Sequence, residues 1–246
     1  MTEEGSLKGL SGKSMIIQGK KIIHTGVNYI FAPLPLFDKA QSLQFQAKLE
    51  EQKVEITVAN YNVAQINLLR QGTSPLEIKL MNPGQNLGQL LIIVPEPSYS
   101  LELLEEEIER ILLAFQEVWP LEGKQILSSD ITFRILADSI REHAFQEIWE
   151  SLLGQKPEKL SVLGKQVQGG GLRLVLNNQE PRQNEEPIVE VRIESFLNDP
   201  KKVFMETQFI WKKPESIHQS IDTSRIHRVE EFLEEKVFAF LRSREL

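Results

Sequence analysis

The chain repeats one order of strand, turn, strand and helix in its two halves. In residues 75–98, two apolar runs of strand length are separated by a turn at Asn82-Pro83, and the second run ends in Pro-Glu before a helical segment. Residues 187–216 repeat this order with the turn at Asn198-Asp-Pro200. Similarity of this kind between distant segments predicts two copies of one supersecondary unit.

Composition sets limits on the class of protein. The 246 residues are 41% hydrophobic and carry a formal net charge of −7, which is typical of a globular chain and opposes attraction to phosphate polymers. The sequence has no cysteine, so disulfides, thiolate catalysis and cysteine-ligated metals are excluded. No apolar run approaches the roughly 20 residues that span a bilayer, and the N-terminus lacks the order of a secretory signal. We therefore expect a cytoplasmic protein without a membrane partner.

Local patterns predict the elements of the first half. Residues 1–37 are expected to form an arm, which is loose or a short hairpin up to about residue 30 and then extended through the two prolines of Tyr29–Phe37. Apolar residues alternate with polar ones over residues 43–50, which predicts a half-buried strand. Three more strands and a helix that begins near Ser100 follow; the helix has one apolar stripe that includes Phe115 and Trp119.

The second half is predicted to add one early helix to the same order. A strand at residues 131–135 precedes a helix over 137–153, and strands over 160–167 and 172–176 are expected to join through Gly169-Gly-Gly171. Two further strands lead to a last helix after Asp222-Thr-Ser224, whose inward face includes Leu233 and Phe240.

These elements predict an α+β fold of two similar antiparallel units, each covered by a closing C-terminal helix. The expected organisation is an arm at 1–37, a first unit at 38–122 and a second unit at 123–246. The order is similar to the duplicated β-α-β4-α topology of the TATA-binding-protein-like and helix-grip folds. That resemblance is one of topology, and it implies a ligand on the open sheet face or between sheet and helix.

Three motifs resemble chemical sites only in part. Gly9-Leu-Ser-Gly-Lys-Ser14 lacks the first glycine and the preceding strand of a phosphate-binding loop, so a flexible arm is expected. His143 and Glu147 have the spacing of two metal ligands on a helix, but they share a polar arc that is typical of a solvated face. Gly169-Gly-Gly171 is expected to be a turn between strands. No catalytic, metal or cofactor site is predicted.

A candidate interaction surface is predicted on the second unit. If Val189, Val191 and Ile193 face the closing helix, alternation places charged side chains of neighbouring strands on the other face of the sheet. Basic residues at the end of the last strand and the start of the last helix can converge at one end of the unit. The candidates are Arg173, Glu190, Arg192, Glu206, Lys212, Lys213, Arg225 and Arg228.

The function predicted first is a non-enzymatic binding or scaffold protein that contacts another protein or a second copy of itself. The alternative is a small-ligand or enzymatic pocket between sheet and closing helix, lined by Phe133, Phe209, Trp211 and Phe232. Nucleic-acid binding on the open sheet face ranks third, because the chain has neither a basic excess nor an exposed aromatic run in a basic context.

Overall fold

The computed structural model describes residues 18–34, 37–84, 86–177, 186–216 and 221–242. It is a mixed α+β structure with one large antiparallel sheet and a few helices. Residues 9–14, where the sequence resembles part of a phosphate-binding loop, lie outside the described residues.

The described residues of the first half form five strands and two helices. In chain order they are β1 (Gln18–Ala32), α1 (Lys39–Glu51), β2 (Val58–Tyr61), β3 (Gln65–Arg70), β4 (Leu76–Gly84), β5 (Leu87–Pro95) and α2 (Leu101–Val118).

The second half has a similar order with shorter early helices. In chain order it consists of β6 (Gln125–Asp138), α3 (Ala144–Gln146) continued by a π-helical turn (Glu147–Leu152), a 3-10 helix (Pro157–Leu163), β7 (Gly171–Leu176), β8 (Ile188–Ser195), β9 (Lys202–Trp211), β10 (Glu215–Ser216) and α4 (Arg225–Phe232). A π-helical turn (Leu233–Val237) joins α4 to α5 (Phe238–Arg242).

All the described strands belong to one antiparallel sheet. Its order is β2-β3-β4-β5-β1-β6-β9-β8-β7, and the short β10 pairs with β6. The strand order from β1 outward is β5, β4, β3, β2, and the order from β6 outward is β9, β8, β7. The first strands of the two halves therefore pair at the centre of the sheet, and each half extends outward from that pair.

One face of the sheet is buried beneath the helices. Along β5, β8 and β9 buried and half-buried residues alternate strictly, so one side of each strand faces the core and the other does not. The apolar stripe of α2, with Leu104, Ile108, Ile111 and Phe115 all at most 2% exposed, packs in the same core cluster as the buried strand residues. We call the opposite face of the sheet the open face.

The prediction of a loose arm or short hairpin near the N-terminus is wrong for the described part. Gln18–Ala32 is a 15-residue strand that pairs with β5 on one side and β6 on the other. Val27, Tyr29 and Phe31 alternate into the core with at most 2% exposure. The prolines come after the strand, so they end it without excluding the residues before them from the centre of the sheet.

The strand predicted over residues 43–50 is also wrong, because this segment lies within helix α1. The Asp38 side chain accepts from the backbone N–H of Gln41 at 2.7 Å, and the Gln41 side chain oxygen accepts in turn from the Asp38 N–H. This capping box starts the helix, and Ser42, Phe45 and Leu49 form its buried stripe at helical spacing. Leu43, which the alternating pattern placed inside, is 47% exposed.

Three further predictions in the second half need correction. The helix expected over 137–153 is shorter, because β6 continues to Asp138 and the helical segment begins at Ala144. The strand expected over 160–167 overlaps a 3-10 helix that ends at Leu163, so Gly169-Gly-Gly171 is not a turn between two strands. Phe240, expected on the buried stripe, is 38% exposed, whereas Leu233 is 1% exposed as predicted.

Among the described helices, none has the length and apolarity needed to cross a membrane.

Candidate functional site

An aromatic cleft forms where the second half departs most from the first. We call it the Trp149 cleft, and its volume is about 700 Å³. It lies between α3 with its π-helical turn, the 3-10 helix, the segment before β7 and the turn between β8 and β9. Its lining residues are His143, Phe145, Gln146, Trp149, Glu150, Leu160, Ser161, Lys165, Gln166, Val167, Gln168, Leu197 and Pro200.

Two stacked rings form the apolar part of the cleft. The ring centroids of Phe145 and Trp149 are 5.9 Å apart with an interplanar angle of 27°. The Trp149 Nε1–H donates to the Lys156 backbone oxygen at 3.1 Å, so the indole is already held and its hydrogen-bond donor is satisfied. Both rings are only half-buried, and Leu197 at the rim is 74% exposed. The cleft therefore presents aromatic and aliphatic surface on a fixed support.

Two glycines allow the chain to pass closely beside this cleft. A Cβ at Gly170 would lie 2.9 Å from the Phe145 ring, and one at Gly169 would lie 2.5 Å from a Leu197 methyl group. The distance at Gly170 is too short for a side chain beside an aromatic ring, so the absence of a Cβ there lets the segment before β7 pack against Phe145. At Gly169 the exposed Leu197 side chain can move aside, so the contact there is less restrictive.

The aromatic cluster of the first half is closed by comparison. Trp119 has ring-centroid distances of 5.4 Å to Phe45, 5.4 Å to Phe115 and 5.6 Å to Phe37, and all four residues are at most 3% exposed. Helix α1 covers this cluster over 13 residues, whereas α3 has three residues before its π-helical turn. In the second half, Phe145 on α3 and Trp149 on its π-helical turn are half-exposed instead.

Sequence reasoning missed the cleft because it placed Phe145 and Trp149 on the buried stripe of a long helix. The stop signals at Gly154, with φ of +60°, and at Pro157 mark the end of that segment. The β6 strand takes up the residues before 139. The remaining helical segment, residues 144–152, buries Ala144, Glu147 and Ile148 and leaves Phe145 and Trp149 half-exposed, and the local sequence pattern gave no signal for this division.

The open face brings together four of the predicted interaction residues. Arg173 Nε donates to Glu190 at 3.1 Å, and Arg192 Nη1 donates to Glu206 at 3.2 Å. Glu206 also accepts from Arg134 at 2.6 Å. The four predicted residues line a shallow basin of about 600 Å³. Both arginines of the basin lie within ion pairs, so the basin is polar and close to neutral.

The other four predicted residues lie elsewhere. Arg225 donates to both oxygens of Glu215 at 2.9 Å and lies 4.7 Å above the Trp211 ring, on the core side of the sheet. Arg228 pairs with Glu186. Lys212 and Lys213 are exposed after the end of β9. Of the basic residues expected at this end, Arg225 and Arg228 are therefore neutralised by acidic partners.

A polar row crosses the middle of the open face. Gln89 donates to Asn28 at 2.9 Å, Asn28 donates to Asp130 at 2.7 Å, and Gln208 donates to the other Asp130 oxygen at 3.0 Å. The row joins strands β5, β1, β6 and β9, and so links the two halves.

His24 occupies the same face beside Arg134. Burial, followed by the positive charge of Arg134, lowers the pKa of His24 to about 4, although the charge of Glu206 acts in the opposite direction. His24 is therefore neutral at physiological pH.

The space beneath the closing helices is mostly filled. Phe133 is fully buried, and Phe209 and Trp211 are 2% and 4% exposed. Phe209 packs edge-on against Phe232 at 5.3 Å. A concavity of about 300 Å³ remains at the outer edge of the second half, where Phe209 and Phe232 meet Leu176 and Val189. Two of the four predicted pocket residues, Phe133 and Trp211, are thus absent from its lining.

His143 and Glu147 do not form a pair of surface ligands. His143 is exposed at the cleft, whereas Glu147 is 0% exposed and accepts hydrogen bonds from the Ser139 hydroxyl and, at 3.2 Å, from the Ile140 N–H. The prediction of a solvated Glu147 is wrong, because this carboxylate ties the π-helical turn to the end of β6. Within the described residues, no group of three or more acidic or histidine side chains has metal-binding geometry.

Comparisons with known proteins give little guidance. No protein-family model matches the chain, and no curated protein sequence matches it significantly. Among solved structures, the chain is similar to the regulatory subunit of aspartate kinase from Thermus flavus, with 8% identity, a TM-score of 0.25, and coverage of 80% of this chain and 89% of that one. A likeness at this level supports no inference about function.

Proposed function

We propose that this chain is a non-enzymatic binding protein that holds apolar side chains of a partner protein in the Trp149 cleft. The observation that carries the proposal is the stacked pair of half-exposed rings in a cavity of about 700 Å³. Aromatic residues are enriched at protein interfaces, and a rigid aromatic anchor in a concave site is the usual centre of binding energy.

The surroundings of the cleft favour a protein partner over a small molecule. Leu197, Val162 and Leu163 are 74%, 88% and 62% exposed, and the latter two belong to the 3-10 helix that borders the cleft. Apolar surface that extends beyond a pocket is typical of a macromolecular contact. Glu150, which is paired with Arg141 at 3.3 Å, and the exposed Lys165 supply a polar rim.

A small apolar ligand is the second candidate. The cleft volume of about 700 Å³ lies within the range of roughly 300–1,000 Å³ that is common for ligand sites. The concavity beneath α4 is smaller, at about 300 Å³, and is a weaker site for the pocket predicted there.

We also propose that the two halves are duplicated units of the β-α-β4-α type that resembles the TATA-binding-protein-like and helix-grip folds. The proposal is supported by the strand order, because in each half the first strand lies at the centre of the sheet and the later strands follow outward in reverse chain order. In this proposal the first unit begins at β1 rather than at residue 38. A cytoplasmic location remains our proposal, supported by a sequence without cysteine.

Selection of short peptides from a displayed library tests the partner proposal. Peptides rich in apolar residues should bind the intact chain and change its tryptophan fluorescence, because Trp119 and Trp211 are buried at 3% and 4% exposure and Trp149 is the accessible indole. Trp149→Ala should weaken binding about 30-fold, the effect of losing an interface anchor worth about 2 kcal/mol.

Phe240→Ala is the matched control, since it removes a partly exposed aromatic ring on α5, outside the cleft lining. It should leave peptide affinity unchanged. Peptides that bind the Trp149→Ala protein as tightly as the intact chain would show that the cleft is not the binding site. If no peptide binds, but small apolar ligands bind the intact chain and lose affinity in Trp149→Ala, the result would favour the second candidate, a small-ligand site.

A further inference from the structure

The second half of the sheet ends on a strand whose counterpart in the first half is covered. Strand β3 has β2 as its outer neighbour, paired from Val58 to Tyr61. The corresponding strand of the second half is β7, which pairs with β8, and no other described strand pairs with it. The position that β2 fills in the first half thus has no counterpart among the described residues of the second.

The backbone of β7 alternates between β8 and this outer side. The Gly170 carbonyl accepts from the Ser195 N–H at 3.0 Å, which makes residues 170 and 195 a hydrogen-bonded pair. In an antiparallel ladder such pairs recur at every second residue, so residues 172 and 174 direct their N–H and C=O groups toward β8. The backbone groups of Arg173 and Val175 therefore point away from β8.

The side chains of the edge are apolar and exposed. Val175 on the open face is 57% exposed, and Leu176 on the core side is 42% exposed. Leu172 and Leu174 pack against the core only in part. An edge with outward-pointing backbone groups and exposed aliphatic residues is a template for the addition of another strand.

We propose that β7 pairs antiparallel with β7 of a second copy of this chain, about a two-fold axis at Leu174. In this register Leu174 faces the partner's Leu174, and Leu172 faces the partner's Leu176. Arg173 faces the partner's Val175, and these two residues exchange the backbone hydrogen bonds. The shift that centres the pair on Arg173 instead places two arginines opposite each other, which is unfavourable.

Charge on the open face supports a second copy as the occupant. Within one chain Arg173 lies directly opposite Arg192 of β8, and Glu190 lies opposite Val175. With the two-fold axis at Leu174, the row that contains Arg192 and Arg173 continues to the partner's Val175 and then to the partner's Glu190. Glu190 of each copy is already paired with Arg173 of the same copy, so this register adds no unpaired charge to the row and places no like charges directly opposite each other between the copies. The same strand serves both partners, as a closed two-fold assembly requires.

Sedimentation equilibrium on the full chain over a series of concentrations tests the assembly. We expect a mass of about twice 28.2 kDa for the unaltered chain. Val175→Lys places a charge on the edge where natural sheets use lysine to block pairing, and it should give a monomer. The matched control Val63→Lys makes the same change at a site that is 71% exposed beside β2, and it should leave the dimer intact.

Disulfide trapping tests the register. Because the sequence has no cysteine, a single introduced residue reports one contact. Leu174→Cys should form a covalent dimer under mild oxidation, since the directly opposed non-hydrogen-bonded pair has a Cα separation of about 4.5 Å, within the range that a disulfide spans. Val175→Cys faces the partner's Arg173 and should remain reduced.

Several results would overturn the proposal. One is an unaltered chain that sediments as a monomer at every concentration. This result would overturn the proposal even if β7 were found to bind an added extended peptide. Another is a dimer that Val175→Lys does not dissociate, with circular dichroism showing that the variant is folded. A Val175→Cys protein that cross-links as readily as Leu174→Cys would reject the register. The outcome is independent of the Trp149 cleft, because peptide binding there is measured separately.

Discussion

The Arg70–Glu107 pair beneath helix α2 gives a sharp test of how this fold is held together. Arg70 at the end of β3 donates to both carboxylate oxygens of Glu107, at 2.6 and 3.0 Å, and Tyr99 donates its hydroxyl to the same carboxylate at 2.6 Å. The side chains of Arg70 and Glu107 are only 13% and 9% exposed.

Removing one partner should cost as much as removing both. Glu107→Leu leaves the Arg70 guanidinium without its acceptor in a nearly buried site, and we expect a loss of about 3 kcal/mol in the free energy of unfolding. Arg70→Met should cost a similar amount, because it leaves the nearly buried Glu107 carboxylate with the Tyr99 hydroxyl as donor and the charge of Arg110, but without its bidentate partner. The double variant that combines Arg70→Met with Glu107→Leu should lose no more stability than either single variant. The sum of the two single losses should therefore exceed the loss in the double variant by a coupling energy of about 2–3 kcal/mol.

The pH dependence of the pair follows from its electrostatics. Burial alone raises the pKa of Glu107, but the hydrogen bonds from Arg70 and Tyr99 outweigh it and hold the pKa below its usual value. Because the folded pKa is lower than the unfolded value of about 4.3, the stabilisation is fully present above that pH. It is lost as the pH falls through the folded pKa. The difference in stability between the unaltered chain and Glu107→Gln should therefore shrink in acid.

Urea denaturation measures these free energies of unfolding. The unaltered chain, the two single variants and the double variant are compared at neutral pH. The unaltered chain and Glu107→Gln are compared over a series of acidic pH values. Lys21→Ala is the control, because Lys21 and Glu96 form a surface pair with side chains 61% and 60% exposed and should contribute about 0–1 kcal/mol. Single losses that add up in the double variant would refute the argument that burial makes this pair interdependent.

The remaining predictions concern other parts of the molecule. An NMR titration should give His24 a pKa of about 4, as a result of burial and the charge of Arg134. The free energy of unfolding should rise between about pH 4 and 6.5, because over that range the unfolded chain binds the proton more tightly than the folded one. A titration near the usual pKa of 6.5 would contradict the buried position of His24. By chemical denaturation, Glu147→Ala should lower the free energy of unfolding by about 1–3 kcal/mol and Leu233→Ala by about 2–5 kcal/mol. His143→Ala should change it by no more than about 0.5 kcal/mol. A Glu147→Ala variant as stable as the unaltered chain would argue against the buried hydrogen bonds of Glu147. Fluorescence anisotropy should show no useful affinity for DNA or RNA at physiological salt, since the net charge of −7 gives little counterion release; sub-micromolar, strongly salt-dependent binding would oppose this.

The sequence by itself was enough to predict the elements whose pattern is local. The alternation of Val189, Val191 and Ile193 indicated both the strand and its buried side. The apolar stripe that includes Phe115 indicated helix α2, and Ser100 indicated its start, where the hydroxyl accepts from Leu103. In each case side chains that repeat at the period of the element report which side is covered, so no distant contact is needed.

Where two periods fit the same residues, the structure decided between them. Phe45 and Leu49 suit a strand by alternation and a helix by their spacing of four, and the capping box at Asp38 together with contact to Phe115 and Trp119 settles the helix. Likewise β1 followed from its pairing partners β5 and β6, which lie far from it in sequence. Local propensity is weak beside such tertiary contacts.

The candidate sites depend most strongly on tertiary structure. The residues of the Trp149 cleft come from segments between positions 143 and 200, and the cleft is open because Phe145 and Trp149 are left half-exposed on α3 and its π-helical turn. The exposure of β7 depends on which strand lies beside it in the sheet. The sequence determines which side chains are apolar, but whether an apolar side chain becomes core or binding surface depends on what the rest of the chain places over it.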